Sequence, residues 1–179
     1  MNDKRSDSHN MSVRIKMTLD ALNKRLDEKN MLVVQNEEGF LGKLQFRFNP
    51  PATEEEIKKL PFNIPSDYED FLKICNGATL FDDPENGGGL QLLSVEEILE
   101  DYQYIDYPPD WFPIGYGYDG CRLIIALAPE RKGYLYWLDN GGSLDDPFGF
   151  LNLTFEKWFD YFIVAQGSKF WEWTWDFNR

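Results

Sequence analysis

Ile64–Phe81 reads IPSDYEDFLKICNGATLF, and its core is a short amphipathic helix with a marked start and stop. Pro65 suits a first turn, where its missing N–H is not needed, and the Ser66 hydroxyl can accept from an orphan N–H there. Tyr68, Phe71, Leu72 and Cys75 fall at i, i+3, i+4 and i+7, which makes one apolar stripe. Asn76–Gly77 closes the helix, because glycine enters the left-handed region without a Cβ clash. The spacing predicts a helix that buries one face and presents the segment beyond Gly77.

Upstream, Ile15, Leu19, Leu22 and Leu26 mark a second amphipathic helix. Met31–Gln35, a turn at Asn36–Gly39 and the alternation of Phe40, Gly42, Leu44, Phe46 and Phe48 predict a hairpin whose second strand shows one face to the core. Thr53 with Glu56, and Ser94 with Glu97, are capping boxes, each opening a helix. In the second of these helices Val95, Ile98, Leu99 and Tyr102 form the inner stripe. Leu90–Leu93, Cys121–Ala128 and Tyr134–Leu138 read as strands, most simply antiparallel. Thr154 is expected to cap a last helix with Phe155, Trp158, Phe159 and Phe162 on its inner face, stopped at Gly167. The tail alternates Trp171, Trp173, Trp175 and Phe177 with polar residues, as a strand does, and either covers the core or forms an exposed anchor. Met1–Asn10 is polar throughout after the first residue and is expected to be disordered.

Composition narrows the function. The chain has 179 residues, 42% of them hydrophobic and 16% aromatic, enough for a substantial core. A net charge of -13 disfavours nucleic-acid phosphates and anionic lipid and favours a cationic partner. No apolar run approaches a membrane span, and Met1–Asn10 lacks the apolar stretch of a signal peptide, so a soluble cytoplasmic protein is expected. Cys75 and Cys121 both lie in apolar contexts and read as small buried hydrophobes.

Catalysis finds little support. His9 is the sole histidine and lies in the polar terminus, which removes Ser-His and Cys-His nucleophile arrangements. Two distant cysteines cannot make a zinc knuckle. Gly115–Gly120 (GYGYDG) lacks the following Lys and the helix of a phosphate loop, and reads as a turn entering a strand. Asp82–Gly89 lacks the ligand order of a calcium loop. No catalytic residue, cofactor or metal is expected.

The informative feature is charge. Between Ile74 and Cys121 there is no Lys or Arg, while Asp82, Asp83, Glu85, Glu100, Asp101, Asp106, Asp110 and Asp119 fall inside, interleaved with Trp111, Tyr116 and Tyr118. Glu96 with Glu100, and Glu97 with Asp101, are like-charge i, i+4 pairs that cost roughly 0.2–0.5 kcal/mol each. Two readings fit: a solvated acidic face, or a surface whose repulsion a basic partner relieves. On the second reading those eleven acidic and aromatic residues are the partner-binding set.

Four pieces, in order, carry a resemblance. They are EEEIKKLPFNIPSDYEDFLKICNGATLF, WFPIGYGYDGCRLIIAL, YLYWLDN and LTFEKWFDYF. Together they resemble the SUKH superfamily, the Smi/Knr-type domains, over Thr53–Ala165. The most specific residues are Pro65, Tyr68, Phe71, Leu72, Asn76 and Gly77, then Ile114, Gly115, Asp119 and Gly120. The resemblance implies an α+β fold in a single domain, with helices beside a mostly antiparallel sheet. It also implies an immunity protein that binds a cognate toxin, often a nuclease, encoded by a neighbouring gene; fungal relatives are regulators or scaffolds of cell-wall synthesis. Cys121 and Arg122 stand where family members often have another glycine. The resemblance divides the chain into a terminus (1–10), an added helix and hairpin (11–52), the SUKH-like core (53–166) and a Trp-rich tail (167–179), with 11–179 expected to be one compact domain.

Overall fold

A seven-stranded antiparallel sheet runs in simple sequence order, each strand pairing with the next: β1 Met31–Gln35, β2 Leu41–Phe48, β3 Ala78–Asp82, β4 Leu90–Leu92, β5 Trp111–Gly117, β6 Arg122–Ala126 and β7 Leu135–Leu138. Among the described residues five α-helices accompany it: α1 Val13–Asn23, α2 Glu54–Ile57, α3 Ser66–Ile74, α4 Val95–Asp101 and α5 Phe155–Val164. The structure is a computed structural model and describes residues 12–36 and 39–173. The expectations for Met1–Asn10, for the middle of the Asn36–Gly39 turn and for the tail beyond Trp173 lie outside the described residues. No helix among the described residues is long and apolar enough to cross a membrane.

Alternation fixes which sheet face meets the helices. Leu32 and Val34 of β1, and Phe46 of β2, are buried, whereas Val33 is 59% exposed. The helical face gathers these with Leu80, Leu90, Leu92, Phe112, Leu123 and Leu135, against the inner stripes of α1, α3 and α5. Tyr68 meets Phe155 edge-on at 4.9 Å, and Phe71 lies 5.6 Å from Phe159, so α3 and α5 interlock through aromatic rings. Two bulges keep extra residues on this face. One residue of β2 opposes Leu80 and Phe81 together, with Phe81 at φ 56, and both are buried. In β5 the bulge at Ile114 does the same.

The other face is covered along half its width only. Over β5–β7 a small second core joins Tyr107, Ile124, Ala126, Tyr136 and Leu138, roofed by Ile105, Leu144 and Phe150. Over β1–β4 no second core forms on that face among the described residues.

The organising stretch folds as read in its stripe and differently at its ends. Tyr68, Phe71 and Leu72 are buried within α3. Ser66 is the first helical residue rather than the cap, and Pro65 occupies the cap position with no side-chain hydrogen bond. Cys75 has left the helix at φ -151, yet its thiol stays buried and donates to the Gly77 carbonyl at 2.8 Å. Gly77 adopts φ +88, and a Cβ there would lie 2.7–2.9 Å from the backbone of Leu92–Ser94. Ala78–Asp82, to which the periodicity assigns no element, is β3.

Both capping boxes form. Thr154 makes no cap bond. The N-terminus of α5 is instead held from outside: Glu156 N–H donates to Asp67 at 2.9 Å, and Phe155 N–H donates to the Tyr134 hydroxyl, which itself donates to Asp67. Asp70, one turn along α3, accepts from the Ser12 N–H at 2.7 Å just ahead of α1. The tail is not a strand where it is described. Phe170–Glu172 is a 3-10 turn, and Trp171 packs on Trp137 at 4.9 Å and on Trp158 at 6.3 Å.

Candidate partner-binding surface

α4 is set in place by the end of α3. The Asn76 side-chain oxygen accepts from Val95 N–H at 2.9 Å, at the first residue of α4, and Asn76 N–H donates to Pro50. Ser94 and Glu97 complete the start of α4, and the Glu97 carboxylate also accepts from Gln91 of β4 at 2.7 Å. Glu97 is thereby turned away from Asp101. Asp101 in turn points to the border of the second core, where it lies 3.8 Å from Arg122 Nε and accepts from the Tyr107 hydroxyl at 3.3 Å. Burial pushes the Asp101 carboxyl above its usual value, with Arg122 and Tyr107 opposing. One of the two like-charge pairs is therefore resolved internally. The other is not: Glu96 and Glu100 are exposed, and neither has an ion pair among the described residues.

The remaining residues of the set fall at three places. At the far end of β3 and β4 from α4, Asp82 pairs with Arg47 at 2.8 Å and Asp83 is fixed in its loop by Asn86 and the Glu85 N–H. Those hydrogen bonds, the Asn86 side chain first, hold the Asp83 carboxyl below its usual range. Glu85 is exposed in the same loop. Tyr118, 73% exposed, and Asp119 sit beside this loop, since Tyr118 N–H donates to Gly89. Asp119 bonds Lys169 at 2.9 Å. In the sheet itself, Tyr116 is half-buried with the Arg122 guanidinium 5.0 Å above its ring. Near the start of β5, Asp106 is exposed, Asp110 accepts from Asn63 at 3.0 Å, and Trp111 is half-buried against Tyr136 and Phe150. The structure thus gathers most of the set at the two ends of the short strands β3 and β4 and leaves Asp106, Asp110 and Trp111 apart near the start of β5.

Three neighbours outside the acidic and aromatic set belong to this surface. Thr79, Gln91 and Arg122 join Tyr116 on the face opposite the helices. The signal available for Gln91 was local: a polar residue between Leu90 and Leu92 in a strand faces away from the core.

No cluster of three metal-ligating side chains occurs among the described residues. A cavity of 310 Å³ on the helical side is lined by Lys16, Leu19, Asp20, Asn23, Phe48, Ile74 and Cys75. Burial pushes the Cys75 thiol up to about 11, which leaves it protonated near neutral pH.

The chain is 37% identical over 170 residues to the uncharacterized protein YobM of Bacillus subtilis (strain 168), covering 87% of this chain and 90% of that protein. It is 35% identical over 133 residues to the uncharacterized protein YnaB of the same organism, covering 71% and 87%. The family model for SMI1 / KNR4 (SUKH-1) matches residues 51–163, which include α2 through most of α5 and all eleven acidic and aromatic residues just placed. The chain belongs to the SMI1 / KNR4 family (SUKH-1).

Proposed function

We propose that this chain is a non-enzymatic immunity protein that binds and neutralises a basic toxin domain through the acidic surface presented by α4 and the β3–β4 loop. The observation that carries the reading is the unrelieved Glu96/Glu100 pair on a span that has no Lys or Arg between Ile74 and Cys121. Repulsion of this kind persists at little benefit to the fold and is relieved by an incoming cation. Membership of the family supports a binding role rather than catalysis. Free cysteines, both buried, suit a reducing cytoplasm. Asp83, Glu85, Glu100, Tyr116 and Tyr118 would frame the contact, with Asp82, Asp101 and Asp119 held by internal partners beside it and Asp106, Asp110 and Trp111 set apart near the start of β5.

The test is co-expression with the product of the neighbouring gene, scored for growth rescue and co-purification. Glu96→Lys with Glu100→Lys should slow association by about tenfold at low salt and flatten its salt dependence. Tight binding with unaltered kinetics would remove α4 from the interface. A chain that rescues nothing and co-purifies with no neighbour is a scaffold instead.

A further inference from the structure

The sheet register places five side chains in one row on the face opposite the helices, running from the uncovered strands β2–β4 to the half-buried Tyr116 and Arg122 at the border of the second core. Arg47 pairs with Thr79, Thr79 with Gln91, Gln91 with Tyr116, and Tyr116 with Arg122. Directly opposed residues of adjacent strands share a face, so the row crosses β2 to β6 without interruption, about 19 Å at the usual strand spacing. Its ends are basic but already neutralised, Arg47 by Asp82 at 2.8 Å and Arg122 by Asp101 at 3.8 Å. Its centre is uncharged: a hydroxyl, a carboxamide and a phenol.

Two acidic banks flank that centre. β4 is three residues long, which sets the β3–β4 loop and α4 only about 10 Å apart along the strands. Asp83 and Glu85 stand on the first bank and Glu96, Glu97 and Glu100 on the second. Any group lying on the row is within about one Debye length of both. Among the described residues no helix covers strands β1–β4 on this side; the buried apolar residues of all five helices belong to the core on the other face.

We propose that the row centred on Thr79, Gln91 and Tyr116 is the docking strip for an extended Lys- or Arg-bearing protein segment, which lies across the strands with its cations directed to the two banks. Six extended residues span about 20 Å, the length of the row. The carboxamide and hydroxyls bond the segment's backbone, and the Tyr116 ring adds apolar area. Nucleic acid and anionic lipid would meet the same charge sign, as would the identical face of a second copy, so a basic protein segment is the occupant that complements the strip. The assignment deepens the reading above, on which it rests for the identity of the partner, and the two fail separately.

The probe is a hexalysine peptide titrated into the full-length ¹⁵N-labelled chain. Saturable shifts of the amides of Arg47, Thr79, Gln91, Tyr116 and Arg122 are expected. Gln91→Lys, at an exposed site, should weaken the peptide about fivefold by placing one cation in the strip. Asp20→Lys changes net charge by twice as much but lies on α1, and should alter affinity less than twofold. Shifts spread evenly over the acidic surface, or equal loss in both variants, would overturn the strip in favour of bulk charge. If hexalysine maps to the row while the neighbouring gene's product does not bind, the strip stands and the immunity reading falls.

Discussion

Asp67, on the first turn of α3, accepts a hydrogen bond from the backbone N–H of Glu156, on the first turn of α5, at 2.9 Å. The two residues are 89 positions apart. A side chain from one helix thus does for another what a serine or threonine usually does locally, and it places a carboxylate at the positive end of α5. The Tyr134 hydroxyl joins the same carboxylate, and its proton is held well above the usual phenol range by burial and by Asp67.

Asp67→Ala removes an acceptor from two donors at once and should cost about 2–3 kcal/mol. The midpoint of urea unfolding measures it. Glu85→Ala, at an exposed loop site, should move the same midpoint by less than about 0.5 kcal/mol.

Gly77 and Gly141 both have positive φ, but only Gly77 is crowded: a Cβ there meets backbone at 2.7 Å, whereas Gly141 has nothing within 4 Å. Gly141→Ala should therefore show the conformational term alone, about 1 kcal/mol. Gly77→Ala adds overlap with β4 and the start of α4, and should cost about 2–5 kcal/mol. Thermal melts of the pair separate the two contributions; equal losses would mean that close approach is irrelevant at Gly77.

The Asp119 carboxyl is lowered from 3.8 to about 2: burial raises it, but the hydrogen bonds from Lys169 and Cys121 outweigh that. A carboxyl lowered in the folded state stabilises above its ordinary value, and that stability is lost as pH falls toward the folded one. Wild type should thus exceed Asp119→Asn in stability at pH 5, with the difference shrinking between about pH 4 and 2. Urea unfolding across that range measures it. A pH-independent gap would mean that Lys169 draws little from Asp119.

Trp171 and Trp173 are neighbours in sequence with opposite expected roles. Trp171 packs against Trp137, Trp158 and Phe162, and Trp171→Ala should cost about 2–4 kcal/mol. Trp173, 47% exposed, should tolerate alanine within about 0.5 kcal/mol. If Trp173→Ala weakens partner binding without affecting stability, that ring belongs to the interface.

Elements whose signals are local were legible. Both capping boxes, the α1, α3 and α5 stripes and the β1–β2 hairpin follow from spacing within one turn or one strand pair. What failed was non-local. Thr154 looks like a cap, and its place is taken by Asp67, which no window around Thr154 contains. The tail's alternation of Trp with polar residues suggested a strand, but Trp171 finds its apolar neighbours in Trp137 and Trp158, and the segment through Trp171 turns into that cluster. β3 escaped notice because its bulge puts Leu80 and Phe81 on one side and destroys the period of two. At the surface, counting acids located the region but not the pairing. Glu97 and Asp101 look as exposed in sequence as Glu96 and Glu100, and only the sheet shows Gln91 and Arg122 engaging them.

The Asn76–Val95 bond has a consequence for how such a protein can change. It fixes the start of α4 through one amide oxygen and a backbone N–H, and Val95 and Ile98 bury the inner side, so the helix is held without Glu96 and Glu100. Glu96 and Glu100 can be exchanged for other side chains while Asn76, Ser94 and Glu97 keep the helix in register. If α4 carries the contact proposed above, its specificity can be rewritten a residue at a time on an unaltered frame, with no refolding of the chain.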